Sequence, residues 1–167
     1  MDSLDAILTS LIVLTCAMIG LCLGSFSSAI AYRIAHKTSW IVDKNSDSGS
    51  AQPARSACPS CHHQLSILDL VPVFSWVFLG GKCRYCGAKI SARYPLIEAA
   101  GAIATIIFFL TGQEGWAWLR FVITLPFCLA CFLLLAQQSK PPFYIYGLFF
   151  SNVFVLLYAV IWGNKNL

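Results

Sequence analysis

Long stretches of this 167-residue chain carry no charge, and that constrains its fold more than any other feature. No Asp, Glu, Lys or Arg lies between Ala6 and Tyr32, between Phe121 and Ser139, or between Phe143 and Gly163. Between Pro95 and Thr111 the one charged residue is Glu98. A membrane-crossing helix needs about 20 mostly apolar residues. The runs therefore predict four spans, at roughly 6–32, 95–112, 120–138 and 143–163. Four buried helices in a water-soluble globule of this length would leave no polar face for solvent. Composition agrees: 58% of residues are hydrophobic and 11% charged, against about 45–50% and about 25% in soluble domains. Disorder, coiled coil, collagen and a small secreted disulfide scaffold are all excluded. The expected class is an all-α membrane protein whose main partner is the lipid bilayer. No nucleic-acid partner is expected.

The first span begins after Asp2 and Asp5 and has no basic residue before it. A cleaved signal peptide starts with positive charge and has a shorter apolar run, so this span reads as a retained anchor. Orientation follows Lys and Arg. Arg33, Lys37, Lys44, Arg55, Lys82, Arg84, Lys89 and Arg93 lie in 33–94, and Lys140 lies in the short turn near Pro141; Arg120 and Lys165 lie on the opposite side. The positive-inside rule then puts 33–94 in the cytoplasm and both termini in the periplasm. The expected organisation is a first transmembrane helix over 1–33, a flexible cytoplasmic linker over 34–54, a cytoplasmic lobe over 55–94, three helices over 95–163 and a tail over 164–167.

The lobe carries the chemistry. Cys58-Pro-Ser-Cys61 and Cys83-Arg-Tyr-Cys86 are two CxxC turns separated by 21 residues. Each turn offers two thiolates, and two turns supply a tetrahedral four-cysteine site, with Zn–S about 2.3 Å. In a reducing compartment disulfides are the weaker reading. The expected ligands of a structural Zn²⁺ are Cys58, Cys61, Cys83 and Cys86, with Gly87 suited to a turn of positive φ. His62 and His63 read as exposed loop residues. Cys128 and Cys131 share the CxxC spacing but sit in an uncharged helix. They read as small buried residues, as do Cys16 and Cys22.

Leu65 to Leu79 is apolar, too short to span, and interrupted by Pro72. It reads as a segment lying along the membrane surface, with Trp76 at headgroup level. Asp69 within it needs a partner or a task; a cap or a salt bridge to a nearby Arg is the plainer role. Glu98 sits one turn into the second span. A carboxylate at membrane depth is a candidate site, or else an interfacial pair with Arg93.

Together these motifs resemble one family. Gly24-Ser25-Phe26 and Tyr32-Arg33, the two CxxC turns, Asp69-Leu70-Val71-Pro72-Val73-Phe74-Ser75-Trp76, Ile90-Ser91, Arg93-Tyr94-Pro95 and Glu98 are similar to the amino-terminal region of type IV prepilin peptidases. The resemblance is strong over roughly 20–101 and weaker beyond. It implies an inner-membrane protein of type IV pilus or type II secretion systems. Members cleave the leaders of prepilins and pseudopilins, then N-methylate the new terminus with S-adenosylmethionine; the matched region is associated with zinc and methylation. Ser28 departs from the pattern, which has Asn there. The family's two peptidase aspartates have no counterpart: Asp69 is the last aspartate, Glu114 the last carboxylate, and 136–143 reads AQQSKPPF. Aspartyl proteolysis needs a carboxylate pair, so no aspartyl peptidase activity is expected. Two functions stay open. One is a pilin N-methyltransferase using Asp69 or Glu98 on the amine. The other is a non-catalytic pseudo-peptidase that binds prepilins or a full-length prepilin peptidase. A degenerate remnant would not be expected to keep all four cysteines.

Overall fold

The computed structural model describes residues 3–37, 42–43, 52–53, 55–111, 115–137, 141 and 143–162. Its long elements are four helices: α1 (Ser3–His36), α3 (Arg93–Leu110), α4 (Trp116–Ala136) and α5 (Phe143–Trp162). The short helix α2 (Phe74–Phe78) and a 3-10 turn (Ile67–Leu70) lie in the lobe. Strands β1 (Val42–Asp43) and β2 (Gln52–Pro53) form a two-pair antiparallel ladder within 34–54. The rest of that expected linker lies outside the described residues. Among the described residues, α1, α3 and α4 are long and apolar enough to cross a membrane. The fourth expected span is a 20-residue helix, α5.

Helix α1 overruns its charge-free run for an electrostatic reason. Asp5 lies in the first turn of α1, and Arg33 and His36 in its last, where each sign complements the helix dipole. At about 1.5 Å per residue, α1 is about 51 Å long, well beyond the roughly 30 Å hydrocarbon thickness. Helix α4 begins four residues before the expected span because Arg120 is accommodated: its guanidinium donates to the Ser151 hydroxyl of α5 at 2.9 Å. Pro126 sits inside α4. A proline in a membrane helix is tolerated where neighbouring helices repair the broken ladder.

Helices α1 and α3 pack backbone to backbone. A Cβ at Gly20 would collide with the Thr105 hydroxyl and the Gly101 carbonyl, and one at Gly24 would sit 2.6 Å from the Glu98 Cα. Gly20 and Gly24 are a small-xxx-small pair, the spacing that lets membrane helices approach closely. The Thr105 hydroxyl, fully buried, donates across the seam to the Cys16 carbonyl at 2.9 Å. Further along, Phe108 stacks on Phe121 of α4 with ring centroids 4.1 Å apart. Near the lobe, Ile30, Ala31, Ile97, Leu134 and Ile145 close a second core that includes Cys131. Cys128, Cys131 and Cys16 are buried, as expected, whereas Cys22 is exposed because it lies on the side of α1 turned away from the other helices. The outward face of α1 presents Leu4, Ile7, Leu8, Leu11 and Leu14, an apolar surface that lipid would solvate.

Candidate functional site

Two turns of the same geometry build the lobe. The His62 N–H donates to the Cys58 carbonyl (2.9 Å) and the Cys58 N–H to the His63 carbonyl (3.0 Å). In the second turn the Gly87 N–H donates to the Cys83 carbonyl (2.9 Å) and the Cys83 N–H to the Ala88 carbonyl (2.8 Å). Each turn is closed by one bridge, Ala57 with Gln64 and Lys82 with Lys89. The residue after each second cysteine has positive φ: 57° at His62 and 71° at Gly87. His62 therefore does the backbone work of a glycine, while its side chain stays exposed. His63 lies against Tyr85, ring centroids 3.7 Å apart, and so ties one turn to the other.

The four sulfurs of Cys58, Cys61, Cys83 and Cys86 all lie within 4.8 Å of one another, with Cys58 and Cys86 3.9 Å apart. Four sulfurs around one Zn²⁺ at about 2.3 Å would be about 3.8 Å apart. The cluster can thus hold a metal ion with little rearrangement. Its protonation is divided. Backbone donors, Cys61 foremost, pull the Cys58 thiol down to about 6. At Cys86 the Ala88 N–H acts in the same direction, but desolvation and the three neighbouring cysteines outweigh it and push the thiol up to about 11. Four thiolates this close do not ionise together without a cation.

Asp69 is where the two halves of the lobe are tied. Its carboxylate accepts from the Arg84 guanidinium at 2.7 Å, the Ser66 N–H at 3.0 Å, the Ser66 hydroxyl at 2.8 Å and the Tyr85 hydroxyl at 3.1 Å. Its side chain is 4% exposed. Desolvation raises its carboxyl, yet Ser66, Tyr85 and the Arg84 charge together hold it below the ordinary carboxylate range. This is the cap and salt bridge expected of it.

The segment from Leu65 to Leu79 folds as a 3-10 turn, an extended link and the short helix α2. After the 3-10 turn the chain extends at Val71, before Pro72, as residues preceding proline prefer. Val73 then adopts φ 60°, ψ −50°, and the Phe74 N–H donates back to the Pro72 carbonyl at 2.6 Å. This is a γ-turn, a strained conformation for a β-branched residue. It is held from outside: the Val73 N–H donates to the Glu98 carboxylate at 2.6 Å. Trp76 turns inward. Its indole N–H donates to the Ile90 carbonyl at 3.0 Å and the ring packs on Gly81. The groups left exposed are Ile67, Leu68, Leu70, Phe74, Val77 and Phe78.

Glu98 is thus the junction of lobe and bundle. Its residue is 8% exposed, Gly24 brings α1 against its backbone, and its carboxylate accepts from the Val73 N–H and the Ser25 hydroxyl. Both donors are neutral. Among the described residues it has no ion pair, with Arg93 or any other cation. The structure does not bring Asp69 and Glu98 into contact; each has its own partners.

Residues 18–111 match the bacterial peptidase A24 N-terminal domain. The chain belongs to that family. It is 32% identical over 154 residues to a prepilin leader peptidase/N-methyltransferase of Aeromonas salmonicida (strain A449), covering 80% of this chain and 53% of that protein. It is 33% identical over 162 residues to the protein of the same name from Burkholderia pseudomallei (strain 1026b), covering 88% and 51%. A type 4 prepilin-like proteins leader peptide-processing enzyme of Escherichia coli O78:H11 is 32% identical over 143 residues, covering 80% and 53%. The chain spans about half the length of the curated relatives it matches. No solved structure matches it. With its apolar helices and these relatives, it is a multi-pass membrane protein of the prepilin peptidase type.

Sequence reasoning missed three parts of the site. Gly20-x-x-x-Gly24 was a readable packing signal. Ser25, next to Gly24, gave none as a partner for Glu98. The Val73 turn has no local signature, since its conformation depends on Glu98.

Proposed function

We propose that this chain N-methylates the free α-amine of pilins or pseudopilins at the cytoplasmic face of the bacterial inner membrane. In this reading Glu98 receives the substrate ammonium. The observation that carries it is the Glu98 carboxylate: buried at membrane depth, held by two neutral donors and, among the described residues, lacking a cation. A cationic amine entering along the helices would complete it. Asp69 is less suited, because four donors already engage its oxygens.

S-Adenosylmethionine, when bound, supplies a methyl group on a sulfonium; nitrogen gains the methyl and sulfur keeps the C–S electron pair. Glu98 first accepts a hydrogen bond from the ammonium, then takes the proton that frees the nitrogen lone pair. Gly24 fixes the depth of Glu98, and Val73 and Ser25 orient its carboxylate. Positioning of this kind is a large share of what a transferase contributes.

The cluster of Cys58, Cys61, Cys83 and Cys86 holds a structural Zn²⁺ in this account. Four protein thiolates leave no open position for water. The metal braces the lobe so that Val73 meets Glu98 and the exposed Ile67–Phe78 face lies on the bilayer. The lobe is cytoplasmic, α5 is the fourth span and both termini are periplasmic, as the distribution of Lys and Arg favours. Leader cleavage is not part of the proposed activity, because these residues offer no carboxylate pair beyond the second span. A prepilin peptidase active site, which these residues do not hold, supplies the cleaved amine.

The test is mass spectrometry of a pilin N-terminus in cells with the wild-type chain, with Glu98→Gln and with the gene deleted. Cleaved but unmethylated pilin in the last two supports the reading. Unchanged methylation in the deletion strain refutes it and assigns the chain an accessory, prepilin-binding role.

A further inference from the structure

A cavity of 230 Å³ lies where the last turns of α1 and α4 meet the first turn of α3. Its polar lining includes Ser28, Tyr32 and His36 from α1, and Ser91, Arg93 and Tyr94 at the start of α3; Ala31 and Leu133 complete an apolar wall. Among the described residues no Asp or Glu lines it. Three features make it more than a gap between helices.

The first is Ser28. It is 8% exposed, and among the described residues its hydroxyl is the buried side-chain polar atom without a hydrogen-bond partner. Buried polar groups are nearly always satisfied, so an orphan hydroxyl lining a cavity points to a ligand. The second is Arg93, whose guanidinium makes no hydrogen bond or ion pair among the described residues. The third is the start of α3. Its first turn is already engaged, the Arg93 N–H by the Ser91 hydroxyl, the Tyr94 N–H by the Ser91 carbonyl and the Leu96 N–H by the Ala92 carbonyl, so this end contributes only the positive pole of the helix dipole. The Arg93 and Ser28 side chains both line the cavity, and among the described residues no carboxylate competes.

We propose that this cavity binds the oxyanion of a small ligand, a carboxylate or a phosphate, between the Arg93 guanidinium and the Ser28 hydroxyl. Two sources have that chemistry. One is the amino-acid carboxylate of an S-adenosyl cofactor, and this source rests on the function proposed above. The other is a phospholipid headgroup phosphate, which does not. The ring of Tyr32, stacked on His36 at 4.2 Å between centroids, gives either ligand an aromatic wall.

The test uses the full chain, zinc-loaded, in phosphatidylcholine nanodiscs. S-Adenosylhomocysteine is compared with 5′-methylthioadenosine, which keeps the adenosine and lacks the carboxylate. In a second arm, retention of phosphatidylglycerol over phosphatidylcholine is read by native mass spectrometry. The variants are Arg93→Gln and Ser28→Ala. Neither removes a side-chain partner described in the structure, so the melting temperature without ligand should hold or rise. The expected result is preference for the carboxylate probe or for the anionic lipid, weakened about tenfold by Arg93→Gln and about fivefold by Ser28→Ala, as for charged and neutral hydrogen bonds. No preference in either arm, or a preference that both variants leave intact, overturns the proposal. S-Adenosylhomocysteine binding untouched by both variants would sink the cavity and spare the methyl-donor reading. Variant-sensitive lipid retention without S-adenosylhomocysteine binding would keep the cavity and count against that reading.

Discussion

The two cysteine turns differ at one matched position, and that difference can be turned into a measurement. His62 and Gly87 both hold positive φ, 57° and 71°. A left-handed residue with a Cβ costs about 1–2 kcal/mol. A glycine loses about 0.4–1 kcal/mol more than alanine through its freer unfolded chain. The difference is about 0.5–1 kcal/mol in favour of glycine at each position. At Gly87 a Cβ would meet nothing within 4 Å, so steric clash adds nothing to Gly87→Ala. At His62 the side chain is exposed, so His62→Gly gives up little contact. Folding of such turns is coupled to metal binding, so the difference should appear as zinc affinity. His62→Gly should tighten Zn²⁺ about two- to fivefold, Gly87→Ala should loosen it by a similar factor, and the double variant should return near wild type. Chelator competition on the purified protein measures all three. Weakened binding in His62→Gly would refute the matched-turn argument. Less than about half an equivalent of zinc in gently purified wild type would refute the site itself.

Other outcomes follow from single contacts. Gly24→Ala places a Cβ 2.6 Å from the Glu98 Cα. It should cost about 1–3 kcal/mol through overpacking, seen as a lower melting temperature in detergent and a loss of methylation together. Asp69→Asn removes a carboxylate held below its ordinary range. Its contribution is complete above the unfolded pKa and fades as pH falls through the lowered folded value. The variant should therefore be less stable at neutral pH by about 2 kcal/mol, and the gap should narrow under acid, as read by Trp76 fluorescence. If α5 crosses the bilayer, alkaline phosphatase fused after Leu167 should be active and green fluorescent protein dark; the reverse pair would remove the fourth span.

The sequence made some of this legible and hid the rest for physical reasons. Charge-free runs predicted the long helices because lipid does not tolerate an unpaired charge. They mislaid the start of α4 because Arg120 finds Ser151 on a neighbouring helix. The CxxC spacing identified the cluster because two thiolates on one turn is a local property. The pairing of Asp69 with a nearby Arg was expected, although which Arg was not. Val73 was hidden, since nothing in Leu70–Phe74 marks a positive φ on a β-branched residue. Its conformation depends on a carboxylate 25 residues away. Trp76 was expected at the headgroups, but Gly81 and the Ile90 carbonyl offer its ring a place inside the lobe. Ser28 stood out in the sequence only as a departure from the family pattern, and its orphaned hydroxyl emerges only once three helices are assembled.

The central claim is methyl transfer that depends on Glu98. The most direct measurement incubates the purified chain in nanodiscs with S-adenosylmethionine and a pilin peptide that already has a free N-terminal amine, followed by peptide mass. The account predicts a gain of one methyl group with wild type and with Asp69→Asn, none with Glu98→Gln, and zinc content equal in all three. Methylation by Glu98→Gln at the wild-type rate would contradict it.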